Sequence, residues 1–345
     1  MATSVYPKTQ ATIRNVASAQ KAATVAGQNV EMRLPLNRDT LTSEQQITVT
    51  CNVTGAVALA TPPTDVLMHV AQLIDSIAIE TDKGSLIIGD GQSIIAISSF
   101  TENQPIPKFN DVGGTLSLTF DIHHENDAAL HDLITALESG SLSKNDLVIR
   151  LKDPFSSGVF AAGATPGLPI YGVRVNAELY PELEGRGEVG LVEDVDLATG
   201  EVFEDQNPHF GVGTMSHHVR TQTIKPTGAG RSNFIMMSAG AALRFAGLLS
   251  VDTATGLPVD NALGQVSLVV EGVEKRSMMF DEIQATNQSK RGFNHAGVAV
   301  LDFGDDEDGF LDLSDVAEAR VFVEVLATAP TALEVRLVED YTADV

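Results

Sequence analysis

Four histidines stand in two adjacent pairs, His123-His124 and His217-His218. Histidine is a common metal ligand and the side chain that titrates nearest neutral pH. Neighbours on a strand point to opposite faces, so neither pair can close both its rings on one ion. A cupin-type site needs His-x-His on one face, and the chain contains none. The favoured reading is histidines that are exposed or hydrogen-bonded. The second candidate is the acidic run 305–309 (DDEDG), where Asp305, Asp306 and Asp308 offer oxygens to Ca²⁺. It is not an EF-hand loop: with Gly309 at the sixth position, Gly304 falls at the first, which requires Asp. Two readings stay open, a surface loop that binds Ca²⁺ weakly at subunit contacts and a solvated acidic turn.

Other chemistry finds little support. Residues 228–232 (GAGRS) are glycine-rich but lack the Lys-Ser/Thr ending of a phosphate loop, and read as a loop. No Gly-x-Ser-x-Gly elbow occurs. The 46 acidic residues make chance carboxylate pairs abundant, so no glycosidase dyad is distinguished. We therefore expect no enzyme, no catalytic residue and no cofactor beyond the Ca²⁺ candidate.

Composition narrows the partners. The formal net charge of -24 repels phosphate backbones, so no direct contact with nucleic acid is expected. Such a surface suits high ionic strength, where screening relieves self-repulsion. Cys51 is the single cysteine, which rules out an intrachain disulfide and a CxxC zinc site. No long apolar run opens the chain, so the expectation is synthesis in the cytoplasm without membrane insertion. Residues 1–29 differ from the rest: Lys8, Arg14 and Lys21 precede the first acid, Glu31. Ile13, Val16, Ala17 and Ala23 roughly follow helical spacing beside these cations. That suggests either an arm touching an anionic surface such as lipid headgroups, or a floppy terminus.

The elements that would position all this are strands. Alternation is clear at 46–53, 75–81, 114–123, 146–151 and 170–180, and again at 219–224, 242–252, 265–271, 295–303 and 319–327. Asp82-Lys83-Gly84 marks a hairpin turn and Gly247 a bulge-prone point. Residues 126–139 read as a helix stopped by Gly140. Residues 181–216 are acidic with scattered apolar positions and read as a linker, with a hairpin around Thr199-Gly200.

The order of features occurs twice. Residues 93–104 (SIIAISSFTENQ) and 277–288 (SMMFDEIQATNQ) each follow a β-rich run and precede a long strand. The final strands share Val173-Arg174-Val175 leading to Tyr180 and Val335-Arg336-Leu337 leading to Tyr341. The expected fold is all-β: two tandem eight-stranded antiparallel jelly rolls with short interstrand helices. The expected units are a basic arm at 1–29, a first roll at 30–180, an acidic linker at 181–216 and a second roll at 217–345.

Two rolls led by a basic arm resemble the double jelly-roll major capsid proteins of tailless icosahedral viruses with an internal membrane, the adenovirus-hexon-like lineage and its small marine-phage members. The resemblance rests on the approach to each inner strand: Arg244, residues 256–261 (GLPVDN) and the 266–270 strand in one half, residues 34–38 and Thr61-Pro62-Pro63 before Ile77 and Ile79 in the other. It implies a virion coat subunit forming pseudo-hexameric homotrimers. Their partners would be neighbouring capsomers, minor capsid and penton proteins, and an internal viral membrane reached by the arm carrying Lys8, Arg14 and Lys21. The competing readings are a carbohydrate-binding or glycoside-cleaving double jelly roll, disfavoured by zero Trp and four Tyr, and a minor virion or spike protein.

Overall fold

The computed structural model describes residues 12–344, apart from 39, 56–57, 61–64, 101–104, 111–113, 125–136, 139–141, 162–165, 182–192, 196–201, 205–214, 239, 293 and 305–309. In chain order it begins with β1 (Thr12–Ala22), β2 (Val30–Pro35), β3 (Thr40–Asn52), β4 (Ala58–Leu59), α1 (Val66–Ala71), β5 (Ile74–Thr81), β6 (Gly84–Gly89) and α2 (Gly91–Ser98). It continues through β7 (Ile106–Asn110), β8 (Thr115–His123), β9 (Leu137–Glu138), β10 (Asn145–Leu151), β11 (Phe160–Ala161) and β12 (Ile170–Pro181). The strands β13 (Glu193–Val195) and β14 (Val202–Glu204) pair as a small hairpin. The later elements are β15 (Met215–Ile224), β16 (Gly230–Met236), β17 (Ala242–Asp252), β18 (Leu257–Pro258), β19 (Leu263–Val270) and β20 (Val273–Met279). Last come α3 (Phe280–Arg291), β21 (Val298–Asp302), β22 (Leu311–Asp312), β23 (Ala319–Val325) and β24 (Leu333–Asp344).

Period-two alternation produces these strands. On β10, Leu147, Ile149 and Leu151 are fully buried while Arg150 faces solvent. On β2, Val30, Met32 and Leu34 point inward, and Arg33 reaches across to Glu80 (3.1 Å) and Asp146 (3.0 Å) on the outer face. Each inward aliphatic side chain contributes about 1.5–3 kcal/mol by leaving water.

The same topology is built twice. The first half pairs β1-β12-β3-β8 in one sheet and β2-β10-β5-β6 in the other. The second half pairs β15-β24-β17-β21 and β16-β23-β19-β20 in the same order. Even an irregularity recurs. The register of β5 on β6 slips between Ile79 and Glu80, and that of β19 on β20 slips between Leu268 and Val269. Each slip lies the same distance before its turn, Asp82-Lys83 in one copy and Glu271-Gly272 in the other. Both Glu271 (φ 48°) and Gly272 (φ 77°) are left-handed, as a two-residue hairpin turn of the primed type requires. These are two eight-stranded antiparallel jelly rolls, each with a helix after its fourth inner-sheet strand.

Several expectations are corrected. The helical spacing of Ile13, Val16, Ala17 and Ala23 is not realised: Thr12–Ala22 form β1, an edge strand on β12, because its backbone pairing outweighs a faint apolar stripe. Of the loop read at 228–232, Gly228 and Ala229 lie in the connection between β15 and β16, whereas Gly230, Arg231 and Ser232 open β16. The slip in β17 falls between Leu243 and Phe245 rather than at Gly247. Ser93 and Ser277 are not equivalent: the first lies in α2 and the second in β20, so the shared Asn-Gln sets the copies out of structural register. The hairpin around Thr199-Gly200 is present as β13 and β14. Of the expected helix at 126–139, residues 126–136 lie outside the described residues and Leu137–Glu138 is strand β9.

Cys51 sits at zero exposure on β3, and its thiol is pushed up to about 12 by burial and then by the nearby Asp153 charge. It should resist a thiol reagent at pH 8 in the native chain and react at once in denaturant. Rapid stoichiometric labelling of native protein would contradict this core.

Candidate functional site: the junction between the rolls

One pairing in the large sheet is parallel. Strand β6 of the first roll meets β15 of the second, through Ile87 with Val219 and Ile88 with Arg220. The sheet β2-β10-β5-β6 thereby continues into β15-β24-β17. Helix α2 lies over this seam, and all its residues are buried. Its run Ile94-Ile95-Ala96-Ile97 fits strand or helix by pattern alone. Asp90 decides for the helix as N-cap, accepting from the backbone N–H of Gln92 (3.0 Å) and Ser93 (3.2 Å).

The sheet beneath α2 is apolar on both faces. Leu248, Leu337, Val335 and Ala299 point into the second roll's own core. Phe245, Leu249, Val298, Val300 and Val338 belong to the core continuous with the first roll. Gly247 permits the approach, since a Cβ there would meet Ile97 Cδ1 at 3.1 Å.

Polar ties frame the apolar seam. Arg336 on β24 donates through Nη1 to Asp90 Oδ1 (2.9 Å) and Gln92 Oε1 (3.0 Å), and through Nε to Glu334 (2.7 Å). Gln92 Nε2 donates to the carbonyls of Met68 (3.1 Å) and Gly256 (2.9 Å). His295, ahead of β21, contacts Asp65 Oδ2 (2.7 Å) and Ser99 Oγ (3.1 Å). Asp65 also caps α1. Burial pushes its carboxyl up, but the His295 hydrogen bond and charge, with backbone N–H donors, hold it below the ordinary value.

The four paired histidines converge here. His217 Nε2 lies 2.7 Å from Asp340 Oδ1, His124 meets the His217 ring edge-on at 6.1 Å, and His218 stacks on Tyr341 at 5.1 Å. His124 and His217 are both buried; His217 is the hydrogen-bonded histidine that the sequence reading allowed, whereas His124 is buried with its Nε2 unpartnered, which departs from that reading. Burial, then the neighbouring histidines, lowers His124 to about 3; burial, then His217, lowers His218 to about 4. Glu44, Asp121 and His123 each bring one ligand atom within 4.8 Å of the others. Asp121 and His123 alternate on one face of β8, with Glu44 directly opposite His123 on β3. The Asp-x-His spacing was visible in the sequence, whereas Glu44 required the strand register. Asp305, Asp306, Asp308 and Lys8 lie outside the described residues. Arg14 is on β1, and Lys21 donates to the Glu31 carbonyl (2.9 Å).

Against known proteins, no family model matches the sequence and no curated protein does either. Solved structures do. The major capsid protein of Sulfolobus Turreted Icosahedral Virus superposes with a TM-score of 0.64 at 12% identity, over 94% of this chain and 96% of that one. The major capsid protein of bacteriophage PM2 gives 0.55 at 12%, over 97% and 98%. The PBCV-1 virus capsid gives 0.58 at 10%, over 96% and 93%. The chain has the double jelly-roll fold seen in viral major capsid proteins.

Two outcomes follow from the junction. Ile97→Ala should cost about 2–5 kcal/mol in denaturant unfolding, because the cavity opens between α2 and β17; a loss below about 0.5 kcal/mol contradicts the seam. Asp65 titrates lower folded than unfolded, so its stabilisation is complete above about pH 4 and is lost as pH falls through the folded value. Asp65→Asn should therefore flatten the stability loss between pH 4 and 2, read by urea titration, and an unchanged slope would count against the His295 contact.

Proposed function

We propose that this chain is a major capsid protein that assembles as pseudo-hexameric homotrimers into an icosahedral shell. The observation that carries the reading is the use made of equivalent strand edges. Within the chain, β6 of one roll joins β15 of the other. Their counterparts in the duplicated topology are β20 and β1, each at the end of its sheet among the described residues. Repeating the internal joint between copies pairs β20 with β1 of the next chain. A threefold ring then presents six similar wedges.

The chemistry of the two joints differs in a way that suits assembly. Matching the two rolls by their strand pairings sets Gly247, Leu249 and Val338 opposite Gln46, Thr48 and Asn176 as equivalents. The first group is apolar and covered by α2 within the chain. The second is half-buried and polar, with Asn176 and Gln46 hydrogen-bonded at 3.4 Å and Thr48 and Thr119 at 3.0 Å. Helix α3, the counterpart of α2, likewise exposes Asp281, Thr286 and Lys290 and buries Phe280, Ile283 and Asn287. A polar helix over a polar sheet gives a contact that forms between already folded chains.

The same reading divides the chain into a basic segment at 1–29, whose residues 12–22 join the first roll as β1, rolls over 30–180 and 217–345, and an acidic linker between them. The basic segment, hooked to the first roll by β1, turns toward an internal lipid membrane. Neighbouring capsomers and minor capsid or penton proteins are the further partners, and the virion is the location. No helix among the described residues is long and apolar enough to cross a membrane.

Sedimentation should show a trimer whose stability rises with salt, as screening relieves the repulsion of a -24 chain. Ile13 is 75% exposed in the single chain, so Ile13→Glu should leave the fold intact by circular dichroism and weaken the trimer at least about tenfold. A monomer at all salts and concentrations would contradict the reading.

A further inference from the structure

The cluster Glu44, Asp121 and His123 lies apart from the strand edges proposed for assembly, and within it His123 Nδ1 stands 3.9 Å from Glu44 Oε2. Its three ligand atoms lie within 4.8 Å of one another, close enough to share one ion. Asp121 and His123 also border a cavity of about 20 Å³ at the junction, together with His217 and Asp340 from the second roll. A volume of that size holds one water molecule or one ion.

A second, independent observation points into the same space. Asp121 is 8% exposed, and its Oδ1 is buried with no hydrogen-bond partner. A buried carboxylate oxygen without a donor is a costly arrangement that a cation would relieve. His217 shows a related pattern: Nε2 is held by Asp340 at 2.7 Å, while the buried Nδ1 has no partner. An imidazole oriented by a carboxylate on one nitrogen and open on the other is the usual arrangement of a metal-ligating histidine.

We propose that Glu44, Asp121 and His123 form a binding site for a first-row divalent transition metal, of which Zn²⁺ is the representative probe. Two carboxylates and one imidazole make a mixed oxygen–nitrogen set, which suits such ions and disfavours Ca²⁺, whose ligands are all oxygen. His217, across the cavity and on the other roll, is a candidate for the fourth position. The ion would act as a fastener at the end of β8, where the first roll meets β15 and β24. It neutralises Asp121 and favours the closed junction by mass action.

The test uses the full chain stripped with EDTA and titrated with Zn²⁺ by calorimetry, with Ca²⁺ in a parallel titration. One Zn²⁺ per chain is expected, with a rise in melting temperature of about 5 °C at a hundredfold excess over Kd. Asp121→Asn and His123→Gln should each weaken Zn²⁺ binding roughly a hundredfold. Without metal, Asp121→Asn should melt no lower than the parent, because the amide removes the unrelieved charge; this keeps the test readable if His123→Gln folds poorly. Ile13→Glu should bind Zn²⁺ like the parent, which separates this site from the assembly reading. No saturable Zn²⁺ binding by folded protein, binding unchanged in both ligand variants, or Ca²⁺ binding tighter than Zn²⁺ would each overturn the proposal.

Discussion

Burial of one sheet on both of its faces governs this molecule. The strands β15, β24, β17 and β21 close the second roll on one side and receive α2 of the first roll on the other. A sheet covered on both faces loses the apolar–polar alternation of a surface sheet and reads as a continuous apolar run. β17 and β21 follow that rule, with long unbroken stretches of buried residues. The consequence is mechanical. The two rolls cannot separate without exposing Phe245, Leu249, Val298 and Val338 to water, so apolar burial holds the duplicated halves together. Gly247 and the Arg336 contacts to Asp90 and Gln92 refine that seam, but the apolar area supplies its strength.

The first roll carries the equivalent sheet with the opposite surface. Where the second roll offers Gly247, Leu249 and Val338, the first offers Gln46, Thr48 and Asn176. A duplicated domain that kept the apolar version on both halves would leave a large apolar face on each free chain and invite uncontrolled association. In the proposed assembly, dividing the labour avoids this: one copy of the joint is sealed during folding, and the other would stay wet until a neighbour arrives. The strong negative charge works in the same direction by keeping free chains apart at low salt.

How much was legible beforehand depended on whether a signal was local. Strands buried on one face, such as β10 with Leu147, Ile149 and Leu151, announce themselves by alternation. The duplication was legible from the order of features and from Val-Arg-apolar in both final strands. Strand β1 was hidden because its side chains are mostly exposed and its stability comes from backbone pairing with β12, which leaves little apolar pattern. Strand β16 was hidden by the glycines that open it. Helix α2 was ambiguous because a helix buried all round has no polar face to set its period. The histidines were judged pair by pair, and adjacent residues do diverge. What the sequence could not display was register: only pairing sets Glu44 beside His123, and only folding brings His217 within reach of His124.

The most direct measurement is interchain disulfide trapping at the edges equivalent to the internal seam. Ile88 pairs with Arg220 inside the chain, and their counterparts by turn and strand alignment are Ser277 and Arg14. A chain carrying Arg14→Cys and Ser277→Cys is oxidised while folded, with Cys51 buried, then its remaining thiols are alkylated as it is denatured and it is run on a denaturing gel without reductant. A shared joint predicts a covalent trimer that each single-cysteine variant fails to form. A chain that stays monomeric on oxidation while native particles or trimers persist would show that the copies meet along some other edge.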